Sequence, residues 1–90
     1  MESKKSIPVE WVQSGSLRGT IFKNYRKNGK IFYTFTIEKV YKDENGEWKK
    51  SHFYSEYEIG QLTILTNKIM ITLHKYEVDE KQKRFLNEMD

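Results

Sequence analysis

The sequence predicts an α+β fold: a curved antiparallel β-sheet of about four strands, then one C-terminal α-helix that pairs with its own copy in a homodimer. Three features predict it. Two turns rich in Asn and Gly, Lys27-Asn28-Gly29-Lys30 and Asp43-Glu44-Asn45-Gly46, separate runs of β-formers, and Asn and Gly accept the positive φ that tight hairpins need. After Ser55 the apolar spacing changes from two to three and four, and no turn residue interrupts it for about eighteen residues. The resulting helix has more apolar surface than one sheet covers, which asks for a second copy.

Taken in order, residues 1–8 are polar and uncapped and are expected to form a disordered tail. The domain proper is expected over residues 9–76. Its first segment, from Val9 to Asn24, reads as a strand bent or bulged at Gly15 and Gly19. The long strand Ile31 to Lys42 follows the first turn, with Ile31, Tyr33, Phe35 and Ile37 on the core face and Phe32, Thr34, Thr36 and Glu38 opposite. Val40 and Tyr41 break that parity, so a bulge or strong twist is expected near Lys39. The second turn returns the chain into a strand from Glu47 to Tyr54. A two-residue turn would set Tyr41 opposite Lys50, and a three-residue turn with a glycine bulge would set it opposite Lys49.

Ser55-Glu56-Tyr57-Glu58 matches a capping box and marks the start of the helix. Ile59, Leu62, Leu65, Ile69, Leu73 and Tyr76 then form one stripe. Seven β-branched residues among the fifteen from Ile59 to Leu73 oppose the helix, but a strand of that length is less compatible with a small sheet. Ile64, Met70 and Ile71 fall off the stripe. The dimer seam is assigned to Leu62, Leu65, Ile69, Met70 and Leu73. Residues 77–90 form a charged C-terminal extension.

Composition narrows the function. The chain has no cysteine, which removes disulfides and Cys-based zinc sites, and His52 and His74 do not make a metal centre. No metal or other cofactor, no small-molecule substrate and no membrane association is expected. An intracellular location, cytoplasmic or nucleoid-associated (nuclear in a eukaryote), follows from the lack of a long apolar run or a signal-peptide core. Ser51 and His52 are strand neighbours that face opposite ways and so cannot pair as nucleophile and base, and no phosphate-binding glycine loop is present, so the chain reads as no enzyme.

The net charge of +3 is concentrated in the β-rich half, where nine basic residues between Ser16 and Lys50 face four acids. Lysines and aromatics alternate there. Single-stranded nucleic acid offers phosphates and unstacked base faces together, so Arg18, Lys23, Lys27, Lys30, Lys42, Lys49 and Lys50 are assigned to phosphates. Tyr25, Tyr33, Tyr41 and Trp48 are assigned to base stacking.

The segments Leu17-Arg18-Gly19-Thr20-Ile21-Phe22, Asn28-Gly29-Lys30 and Val40 to Lys49 carry a family likeness. From Ser16 to Tyr76 the chain resembles the single-stranded-DNA-binding domain of the transcriptional coactivator positive cofactor four and its shorter prokaryotic and phage relatives. That resemblance implies a homodimer built through the C-terminal helices. It also implies binding of single strands or melted duplex by paired β-ridges, in a transcription-cofactor-like or other DNA-transaction role. Its contacts would fall on Arg18, on Tyr25, Lys27 and Lys30, and on Tyr41, Trp48 and Lys49. Ser51, His52 and Glu38 depart from the family's basic character. The alternatives are an RNA-binding module and a small adaptor that binds protein and no nucleic acid.

Overall fold

The computed structural model describes residues 6–88, an elongated body of 58 × 32 × 20 Å. Four strands, β1 (Ser6–Ser14), β2 (Leu17–Tyr25), β3 (Ile31–Lys42) and β4 (Trp48–Ser51), form one antiparallel sheet in chain order. A single 3₁₀ turn, Glu56–Glu58, leads into the helix α1 (Ile59–Glu88). The α+β class and the sheet-then-helix order are those the sequence predicts.

Several boundaries differ. The segment from Val9 to Asn24 is not one bent strand. Gly15, with φ of 61°, turns the chain so that Gln13 faces Arg18 and Ser14 faces Leu17. Gly19 lies inside β2 and permits close packing instead of a bend, because a Cβ there would stand 2.6 Å from Cδ1 of Ile69. Ser6, Ile7 and Pro8, expected in a disordered tail, pair with Asn24, Lys23 and Phe22, while residues 1–5 of that tail lie outside the described residues. The register shift falls in β1 between Pro8 and Glu10, and β3 runs without interruption through Lys39.

Both remaining turns have one design. In the first, Arg26 N donates to Lys30 O (2.8 Å), Gly29 N donates to Arg26 O (2.9 Å), and Gly29 has φ of 87°. In the second, Asp43 N donates to Glu47 O (2.9 Å), Gly46 N donates to Asp43 O (3.0 Å), and Gly46 has φ of 79°. The Asp43 carboxylate also accepts from the amides of Asn45 and Glu47, each at 2.9 Å. This is the three-residue turn with a glycine bulge, and Tyr41 accordingly faces Lys49. Strand β4 ends at Ser51, short of Tyr54. From there the chain leaves the sheet, held by the Tyr54 hydroxyl donating to Ile37 O at 2.6 Å.

Leu17, Ile21, Leu65 and Ile69 make the buried core, flanked by Val9, Val12, Tyr33, Ile37, Tyr54, Leu62 and Leu73. Helix α1 lies across β1 and β2, fastened along its length by polar contacts. The Ser14 hydroxyl donates to Gln61 Oε1, Lys68 Nζ to Gln13 O (2.7 Å) and the Tyr76 hydroxyl to Glu10 (3.0 Å). At its start Ser55 N donates to Glu58 Oε1 at 2.7 Å, the reach-back half of the expected capping box. That bond and Lys39, 3.0 Å from the same carboxylate, hold the Glu58 carboxyl below the usual carboxylate range. Threonines accommodate the helix by donating to carbonyls of the preceding turn, Thr63 to Ile59 (3.1 Å) and Thr72 to Lys68 (2.9 Å).

The helix continues through the charged extension to Glu88, leaving only residues 89–90 of that segment outside the described residues. Leu62, Leu65, Ile69, Leu73 and Tyr76 of the predicted stripe face the sheet, Thr72 joins them, and Ile59 at the helix start is exposed. No helix among the described residues is long and apolar enough to cross a membrane.

Candidate nucleic-acid interface

The sheet has two unlike faces. The helix covers the β1 and β2 part of the face carrying Leu17, Gly19 and Ile21, and leaves the opposite face uncovered. Because directly paired residues share a face, the register puts Trp11, Gln13, Arg18, Thr20, Phe22, Phe32, Thr34, Thr36, Glu38, Val40, Lys42, Trp48 and Lys50 on that open side.

Three cation–aromatic pairs mark it. The Arg18 guanidinium lies 4.7 Å from the Trp11 ring centroid, Arg26 lies 4.4 Å from that of Phe32, and Lys42 Nζ lies 5.3 Å from that of Trp48. Trp48 is 67% exposed and Trp11 57%. At the first-turn end of the face Asn24 is buried and donates through Nδ2 to Phe32 O (3.3 Å) and to Thr34 Oγ1 (3.1 Å). Glu38 is the acid on this surface, and Lys50 lies 3.8 Å from it.

The residues assigned from sequence therefore divide. Arg18, Lys42, Trp48 and Lys50 share the open face. Tyr25, Tyr41 and Lys49 have the opposite parity and sit toward the turns, Tyr25 and Tyr41 both exposed, with Lys49 3.8 Å from Asp43 and from Glu47. Lys27 and Lys30 are exposed at the first turn. Lys23 and Tyr33 are turned under the helix, away from the open face. Lys23 Nζ is 3.1 Å from Glu80 Oε2, the Tyr33 hydroxyl donates to the same oxygen at 3.2 Å, and the Tyr33 ring packs on Tyr76 with centroids 5.4 Å apart. The period of two had already put Tyr33 on the core face, so these two side chains serve helix docking.

The residues assigned to the dimer seam also divide. Leu65 and Ile69 are buried in the chain's own core, with Leu62 and Leu73 beside them, and only Met70 of the five is well exposed.

Burial pushes the Tyr33 hydroxyl up to about 12, helped by the Glu80 carboxylate. The hydrogen bond from Lys23 to Glu80 raises the Lys23 ammonium, and its burial opposes this. Burial disfavours the Glu80 charge, but Lys23 and Tyr33 outweigh it and hold the carboxyl below its ordinary value. For Lys23 and Tyr33 the folded values exceed the unfolded ones. Their contribution to stability is thus complete below roughly pH 10 and is lost as pH rises through the folded values. Glu80 contributes above the ordinary carboxylate range and stops contributing as pH falls through its lowered value. The urea midpoint followed by circular dichroism is expected to fall steadily above roughly pH 10, and Glu80→Gln should flatten that alkaline decline.

Among the described residues no group of three His, Asp or Glu side chains is placed to hold a metal ion. His52 Nδ1 is 3.2 Å from Ile37 O, a contact within the fold. Sequence reasoning missed Trp11, Arg26 and Phe32. The signal that would have found Trp11 is the β1–β2 turn at Gly15: once it is recognised, counting by two sets Trp11 and Arg18 on one face. No protein-family model, curated protein or solved structure matches this chain.

Proposed function

We propose that the protein is a non-catalytic single-stranded-DNA-binding protein, largely indifferent to base sequence, that works as a homodimer in DNA transactions such as transcription within the cytoplasm or nucleoid. One observation carries the reading: the sheet face left uncovered by the helix presents three aromatic rings, each with a cation 4.4 to 5.3 Å from its centroid. A single strand supplies the complement of both halves of each pair, phosphates for the cations and base faces for the rings. Duplex DNA offers its phosphates but keeps its base faces stacked. Arg18, Lys42, Trp48 and Lys50 share the open face toward the second turn, with Lys27, Lys30, Tyr25, Tyr41 and Lys49 near the two turns.

The dimer is supported by an open groove of ≈ 370 Å³ beside the helix, lined by Phe35, Thr66, Ile69, Met70, Leu73, His74 and Glu77. Phe35 is 48% exposed there and Met70 60%, apolar area that a second copy would cover.

The test is a fluorescence-anisotropy titration of labelled 20-nucleotide single and double strands at two salt concentrations, with sedimentation of the free protein alongside. Expected are a marked preference for the single strand, an affinity that falls linearly in log K against log salt, and a mass of two chains. Absence of binding at low salt would remove the nucleic-acid reading and leave the adaptor.

A further inference from the structure

The two tryptophans lie on opposite edge strands of the same face, Trp11 on β1 and Trp48 on β4. Three strand spacings, ~14 Å, and about six residues of offset along the strands, ~20 Å, put them ~25 Å apart. They are separate places on the surface. Resemblance and turn chemistry point to the Trp48 hairpin and say nothing of Trp11.

Building on the proposed single-strand reading, we propose that Trp11 and Arg18 form a second nucleotide subsite, in which a base stacks on the indole–guanidinium pair and Arg18 meets the adjoining phosphate. Four observations lead here. Trp11 keeps 57% of its surface in solvent on a face that α1 does not cover, so burial in the fold does not explain a tryptophan at that position. The register places Arg18 opposite Glu38, yet the Glu38 carboxylate is paired to Lys50 at 3.8 Å, and no carboxylate pairs with Arg18 among the described residues. Its Nε is buried without a hydrogen-bond partner, so packing over Trp11 positions the guanidinium and leaves its charge uncompensated.

The fourth observation is frequency. Energetically significant cation–π pairs occur about once per 70–80 residues across protein structures. Here five lie in one 90-residue chain, three of them on the open face. A guanidinium plane already parked by an aromatic ring is also a platform on which bases stack in single-strand recognition. Thr20, which faces Trp11 across the strand pair, offers a small hydroxyl that leaves room for a base beside the indole.

The experiment exploits the fact that the chain has two tryptophans. In Trp48→Phe, all tryptophan emission comes from Trp11; in Trp11→Phe, all of it comes from Trp48. Each protein is titrated with (dT)₂₀, and Trp11→Leu is compared with wild type by anisotropy. The expected results are quenching of Trp11 emission that saturates with binding, and a loss of affinity of roughly 5- to 150-fold in Trp11→Leu, the range that one stacked base supplies. Binding with Trp48 quenched, Trp11 emission unchanged and Trp11→Leu equal to wild type would overturn the second subsite and leave the single-strand reading standing. No binding of (dT)₂₀ by wild type would overturn both. Should Trp11→Leu fail to fold, the emission of Trp11 in Trp48→Phe still decides.

Discussion

Ile69→Ala is expected to lower the unfolding free energy by about 2–5 kcal/mol, a large share of the ~5–15 kcal/mol that holds a domain of this kind together. Ile69 is 2% exposed, and its Cδ1 packs directly against Gly19 of β2. The same contact makes Gly19→Ala unfavourable, because the new methyl would meet Cδ1 at 2.6 Å and Cγ1 at 3.0 Å. Overpacking of this kind costs about 1–3 kcal/mol, partly offset by the gain of replacing glycine inside a strand. The two effects should not add. In the Ile69→Ala background the methyl has room, and Gly19→Ala should become neutral or stabilising. Urea denaturation of the four proteins measures the coupling, and strictly additive costs would show that the close approach at Gly19 does not limit packing.

Trp48→Ala combined with Lys49→Ala is expected to weaken single-strand binding by roughly 5- to 150-fold through the lost base stack, with a further loss from one fewer phosphate contact. The slope of log K against log salt should also fall by about one. Fold and oligomeric state should survive. Trp48 is 67% exposed on an edge strand, and the contacts of Lys49 to Asp43 and Glu47 are exposed pairs at 3.8 Å, worth ~0–1 kcal/mol. Melting curves and sedimentation serve as the controls. Unchanged affinity in this variant would take the second hairpin out of the binding surface.

The sheet and helix were legible because their signals are local. Glycine at positive φ marked both lysine-bearing turns, and the step from period two to three and four marked the helix. The β1–β2 hairpin escaped because Gly15 is followed by Ser16 with no Asn or Asp beside it, while Gly19, the stronger apparent breaker, works as a packing glycine. That one error hid the pairing of Trp11 with Arg18 and so a third of the aromatic surface. Lys23 and Tyr33 could not be separated from the other basic and aromatic residues by spacing, since their partner Glu80 lies in a segment read as an appendage. Hydrophobic spacing likewise identified Leu65 and Ile69 as packing residues without saying whether the sheet or a second chain receives them.

The shared architecture of the two turns has an electrical consequence. They sit at opposite ends of β3, built on the same backbone, but the first turn's own sequence holds Arg26, Lys27 and Lys30, whereas the second's holds Lys42, Lys49 and Lys50 together with Asp43, Glu44 and Glu47. Glu80 and Arg84 of the helix both line the groove beside the first turn. By sequence charge alone one turn is basic and the other balanced, and such a difference acts within ~8–10 Å, the Debye length. On the single-strand reading proposed above, a polyanion would meet that difference before any ring or guanidinium touches it, so its association rate should fall as salt rises.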